Sequence, residues 1–253
     1  MKKYLELILI VYLISSCSKS PENIIPKSNE CINDFKDTTL RGGCKFISGN
    51  FPSSYCDVQH IAEFVLDESS KEYFPQFCKQ IGSSVKYRDD KGLIINFTIL
   101  DKWFKNNTII YNHTFCEKDS AKSIGYCYVQ EKVFMTLESE SPIIRLRIEL
   151  STNPENGPEY NGMYRDELSI LRLDSNGVYF YDFSAIVNKR TFIYDAFPNQ
   201  EFLPNILLNG NNYINVLSSE HKFNFPSFKF YYNKEIGLIA FKDKVGTIWT
   251  LEE

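Results

Sequence analysis

Histidine, tryptophan and methionine are scarce in this 253-residue chain: three, two and three copies. His60, His113 and His221 are the whole imidazole supply, and no two cysteines stand in C-x-x-C spacing, so the usual ligand set of a zinc site is missing. No charge of one sign dominates. With 28 basic and 32 acidic residues the formal charge is −4, and the basic residues are scattered, so no positive field exists to draw in nucleic acid. No G-x-S-x-G nucleophile elbow is present. Arg41-Gly42-Gly43-Cys44 reads as a turn, because no strong helix follows to cradle a phosphate. No repeat of fixed period and no low-complexity tract occurs. At 43% hydrophobic and 24% charged, the composition is that of a folded globular protein.

The apolar run at residues 7–14 follows Lys2 and Lys3. As a helix it rises about 12 Å, against ~30 Å for a bilayer core, so it reads as the centre of a signal peptide. Ile14-Ser15-Ser16-Cys17 comes next, with two small residues before a cysteine. This order resembles a bacterial lipobox, with Ile14 where leucine is commoner. The resemblance implies cleavage after residue 16, a diacylglycerol thioether on Cys17 and an acyl (palmitate-type) chain on its new amine. Several chains make a durable anchor where one does not. Ser18 stands where an aspartate would signal inner-membrane retention, which points to the outer membrane. Loss of Lys2, Lys3 and Glu6 takes the charge from −4 to −5. Residues 1–16 are thus read as a leader, 17–30 as a polar lipidated tether containing Pro21 and Pro26, and 31–253 as one β-rich domain.

Six cysteines remain: Cys31, Cys44, Cys56, Cys78, Cys116 and Cys127. An even number in an exported chain points to disulfides. Sequence does not choose among their fifteen connectivities. The simplest is sequential: Cys31–Cys44, Cys56–Cys78 and Cys116–Cys127, the last across a turn at Ser123-Ile124-Gly125.

From residue 80 onward short β-type runs alternate with turn residues. Residues 93–100, 108–115 and 126–137 read as strands, with a turn at Asn106-Asn107. Residues 143–150 alternate, placing Ile144, Leu146, Ile148 and Leu150 on one face and Arg145, Arg147 and Glu149 on the other. The stretch 151–162 is the clearest loop and a possible subdomain break. Asp174-Ser175-Asn176-Gly177 marks a hairpin between 167–173 and 178–183, and 236–241 with 247–251 form a closing hairpin. The best helix candidate is 57–66, with Asp57 as N-cap. This pattern indicates an all-β antiparallel sandwich or half-barrel stapled by disulfides.

Catalytic constellations are thin. A Cys–His pair would need Cys78 or Cys116 beside His113. Glu138 with Glu140, or Asp166 with Glu167, offers the carboxylate pair that any acidic protein offers. No catalytic residue, metal or cofactor is therefore assigned. The aromatics carry the one binding argument. Runs at 179–183 and 223–232 put rings on both faces of their strands, and exposed Tyr179, Tyr181 and Tyr231 would form a stacking face for a glycan or protein partner.

The C-terminal run Tyr231-Tyr232-Asn233-Lys234-Glu235-Ile236-Gly237, with Gly246-Thr247-Ile248-Trp249-Thr250-Leu251, resembles the closing hairpin of uncharacterised Bacteroidota-type lipoproteins. The resemblance implies an envelope lipoprotein and no particular activity. The expectation is a membrane-anchored binding module without enzymatic activity. A lipid or lipoprotein carrier would need a dry apolar cavity, and a hydrolase convergent carboxylates in a cleft.

Overall fold

The computed structural model describes residues 28–34, 55–116, 119–154, 164–173, 179–189, 200–220 and 228–252. Cys17, Cys44 and the leader lie outside the described residues, as does most of the 151–162 loop. The chain is nearly all-β, an antiparallel sheet curled into a half-barrel. Among the described residues two short helices, α1 (Ser28–Asp34) and α2 (Glu68–Lys71), and a 3-10 turn (Pro75–Cys78) accompany twelve strands. The strands are β1 (Tyr55–Phe64), β2 (Ser84–Arg88), β3 (Ile94–Cys116), β4 (Asp119–Glu140), β5 (Ile143–Pro154), β6 (Tyr164–Leu173), β7 (Tyr179–Lys189), β8 (Gln200–Leu208), β9 (Asn211–Glu220), β10 (Lys229–Asn233), β11 (Gly237–Lys242) and β12 (Ile248–Glu252). Their order is β7-β6-β5-β4-β3-β2-β12-β11-β10-β9-β8, with β1 parallel to β4. The curl brings β7 against β9 and β10. Phe183 of β7 meets Tyr232 of β10 there, ring centroids 6.1 Å apart.

The alternation read in 143–150 is the alternation of β5: Leu146, Ile148 and Leu150 are buried on the concave face. Phe97, Ile99, Met135, Leu168, Ile170, Phe183, Phe230, Tyr232 and Phe241 join them in one cluster. The concavity is filled by the chain between β1 and β2, which contributes Leu66, Phe74 and Phe77, while α1 adds Ile32. The Cys31–Cys78 disulfide ties α1 to this filler. Closing a loop with a sequence separation of 47 stabilises by about 4 kcal/mol in the chain-entropy account. Helix α1 takes residues 28–30 from the stretch read as tether, burying Ser28.

Several expectations are corrected. Residues 57–64 belong to strand β1 and 65–66 to the chain that leaves it, and none is helix: the Val, Ile and aromatic content suits the parallel ladder with β4, and the N-cap is Asp67, whose carboxylate accepts from Ser69 N–H. Asn106-Asn107 and Ser123-Ile124-Gly125 are not turns. They lie within the long β3–β4 ribbon, whose outer half pairs with β1 and carries several register shifts. Sequential disulfides are replaced by Cys31–Cys78. Cys116 and Cys127 are each disulfide-bonded, yet Cys127 faces Ile110, six residues along β3 from Cys116. That is ~20 Å of strand, well beyond the ~7 Å limit on Cα separation, so they are not bonded to each other.

The β8–β9 hairpin straps the convex face. Asn215 has φ 54° opposite Pro204, and there the ribbon turns over. Leu203, Ile206, Leu208, Tyr213 and Val216 consequently all pack on Tyr231, Ile239 and Ala240. At the hairpin tip Asn209 Nδ2 donates to the carbonyl of Ile248 at 3.0 Å.

One glycine is tied to the filler. Gly237 has φ 94°, and a Cβ there would collide with the Gln76 amide. That amide donates to Leu238 C=O at 3.3 Å and accepts from Leu238 N–H at 3.1 Å. Gly237→Ala is expected to cost about 2–5 kcal/mol by urea unfolding, from left-handed backbone strain and a displaced buried amide. Gly246→Ala, at φ 92° with open space around it, should cost only the strain. Equal losses in the two variants would contradict the contact.

Candidate functional site

Beyond the Ala240–Thr250 pair β12 leaves β11 and continues against β2, where Thr250, Leu251 and Glu252 face Arg88, Tyr87 and Lys86. The sheet therefore opens between β11 and β12. Gln76 reaches into the gap from the concave side and satisfies the Leu238 backbone that β12 leaves unpaired. Tyr87 Oη also donates to Leu238 C=O, at 2.9 Å, and burial pushes the Tyr87 hydroxyl pKa far up.

Two contiguous cavities flank this opening. One of about 730 Å³ includes Gln76, Lys79, Lys86 and Ile94 in its walls. The other, about 850 Å³, runs under the strap tip past Asp90, Asn209, Asn211, Asn212 and Tyr213. Arg88, Ile236, Leu251 and Glu252 belong to both. Arg88 and Glu252 form an ion pair across the shared section. Asp89 is committed to its own turn, accepting from Lys91 N–H and Leu93 N–H. The result is a groove whose walls combine amide, guanidinium and carboxylate groups with aliphatic Ile94, Ile236 and Leu251. Such a surface can hydrogen-bond a polyhydroxylated or amide-rich ligand in several directions at once.

The aromatic face expected from sequence is only partly assembled. Tyr181 is exposed on β7, its hydroxyl pKa raised by partial burial and by the neighbouring Glu149 and Glu167 carboxylates. The side chain of Tyr179 lies outside the described residues. Tyr231 is a correction: at 7% exposure it is buried, because the strap covers the outward face of β10. No local signal in 229–233 announces that cover. Another half-exposed ring is Trp103, in register with Phe134. Lys105 Nζ lies 4.6 Å from the Trp103 centroid, and the Arg147 guanidinium lies 4.5 Å from that of Phe134. Cations thus already occupy positions where a sugar would stack.

The buried carboxylates act within the fold. Glu131 accepts from Leu66 N–H at 3.0 Å. Asp166 accepts from Asp67 N–H at 3.0 Å and from Ser70 Oγ at 2.7 Å. Glu138 pairs with Arg145 and is not drawn towards Glu140, and Asp166 and Glu167 point to opposite faces of β6. Among the described residues no group of three His, Cys, Asp or Glu could hold a metal ion, and no helix is long and apolar enough to cross a membrane. Comparison with protein families, characterised proteins and solved structures finds no match to this chain.

Burial raises the Asp166 pKa, and its hydrogen bonds from Ser70 and Asp67 only partly oppose this. A carboxyl whose folded pKa exceeds its unfolded value holds its proton more tightly when native. Its stabilising contribution is full below the unfolded value, near pH ~4, and declines as pH rises through the folded one. Wild type should therefore lose stability relative to Asp166→Asn between acidic and neutral pH, read by urea unfolding at a series of pH values. A flat difference, or one of opposite slope, would contradict the raised carboxyl.

Proposed function

We propose that this chain is an envelope lipoprotein, anchored at the outer membrane through acylated Cys17, that works as a binding module and uses the groove under the β8–β9 strap. The observation that carries the reading is where open space lies. The hollow of the half-barrel, the place a lipid carrier would use, is packed with Phe74, Phe77, Phe97, Phe183 and Phe241. The contiguous groove outside it is open, and polar and apolar groups share its walls. Of the candidate carboxylates, Asp166 holds the Asp67 N–H and Glu138 is paired with Arg145, and neither is turned towards its neighbour in sequence. Planar amides at Asn211 and Asn212, a carboxylate at Asp90 and the Arg88–Glu252 pair favour a glycan over an apolar ligand.

The test is a glycan array with the purified protein, followed by titration of the best hit. Asp90→Ala with Asn212→Ala, both at exposed positions, should weaken that hit at least about tenfold, which is about 1.4 kcal/mol, without changing the unfolding curve. Unaltered affinity in the variant, or no glycan bound at all, would overturn the groove as the site.

A further inference from the structure

Among the described residues, three hairpin turns leave the sheet at one end of the half-barrel. Arg88 pairs with Ile94 across the β2–β3 turn, Phe97 with Ser139 just before the β4–β5 turn, and Lys242 with Ile248 across the β11–β12 turn. Thr250 pairs with Arg88, which sets the β11–β12 turn level with the other two. Each turn presents an aliphatic side chain to solvent: Leu93 at 61%, Ile143 at 81% and Val245 at 87% exposure. Ile143, Val245 and Phe228 all line one cavity of about 680 Å³. Lys91 and Lys244 stand on two of the same turns.

We propose that this rim is a membrane-contact surface, with Leu93, Ile143 and Val245 dipping into the lipid headgroup and acyl boundary. The proposal takes its bilayer from the lipidated Cys17 of the functional reading. Neighbouring strands are ~4.8 Å apart, so tips of adjacent hairpins stand about 10 Å from one another. Separate tips at that spacing make a poor core for a protein interface, which needs contiguous buried area. A deformable apolar phase accepts each tip individually. Lysines beside apolar tips can extend their stems and keep their ammonium groups among the phosphates. Asp90 and Glu140 lie at the same end, so the contact is driven by apolar burial and not by net charge.

The anchor lowers the affinity required. Between Cys17 and the start of α1 the tether has ten residues, which reach at most about 35 Å. Held that close, the rim meets its bilayer at a local concentration in the ~mM range, so three aliphatic contacts suffice.

The test uses the full chain reconstituted in phosphatidylethanolamine–phosphatidylglycerol vesicles containing doxyl-labelled lipid. Val245→Cys carries an environment-sensitive fluorophore, and Glu63→Cys, exposed on β1 at the other end of the sheet, is the control. Quenching should be several-fold stronger at 245 than at 63, and adding Leu93→Asp with Ile143→Asp should remove the excess. Equal quenching in a chain that floats with the vesicles overturns the rim and leaves the anchor standing. A chain that does not float refutes the anchor. The rim is then decided with the same labels after tethering the chain through an N-terminal His tag to chelating lipid, where equal quenching again overturns it.

Discussion

Everything in this fold depends on filling the hollow of a curled sheet with a segment that is mostly not sheet. A half-barrel of long strands exposes a large concave apolar face, and here residues 66–78 occupy it. Their apolar side chains close the core, but their backbone brings polar groups into a dry interior. Buried side chains of the sheet meet that demand one group at a time. Glu131 takes Leu66 N–H, Asp166 takes Asp67 N–H, and Tyr232 Oη donates to Tyr73 C=O at 2.5 Å. Lys102 Nζ donates to the carbonyls of Phe77 and Lys79, and desolvation lowers its pKa. Gln76 closes the account in the other direction, giving β11 the partner that β12 withholds.

This arrangement moves function to the outside. With the hollow filled and the strap covering the outward face of β10 and β11, open space remains at the sheet's gap, under the strap tip and at the turn end. The same Gln76 that completes the core forms one wall of the groove. Groove and filler are therefore coupled: a displaced Gln76 would alter both the β11 edge and the cavity beside it.

The sequence was legible where information is local. Period-two burial in residues 143–150 and the Gly-bearing turns of the closing hairpin follow from strand and turn chemistry alone. Non-local pairing was not legible. The β1 segment has near-helical apolar spacing, and only its parallel partner β4, about 65 residues away, makes it a strand. Asn106-Asn107 looks like a turn but rides in a ribbon whose register is set elsewhere. Cys31 joins Cys78 because α1 packs on the 3-10 turn, a contact that no cysteine spacing encodes. Of the candidate site, the exposure of Tyr181 was anticipated, whereas Tyr231 was not seen to be covered. The groove was invisible because its walls come from β2, the β10–β11 turn, β12 and the strap tip.

Residues 66–78 are part of the core and not a lid over it. Native-state amide hydrogen exchange measures this directly. The amides of Leu66, Asp67, Phe74 and Phe77, each hydrogen-bonded, should exchange only through the same global opening as Ile148 in the centre of β5. Exchange of this segment through a separate, much lower-energy opening while β5 stays protected would contradict it. The hollow would then be a closable cavity, and the carrier reading would return.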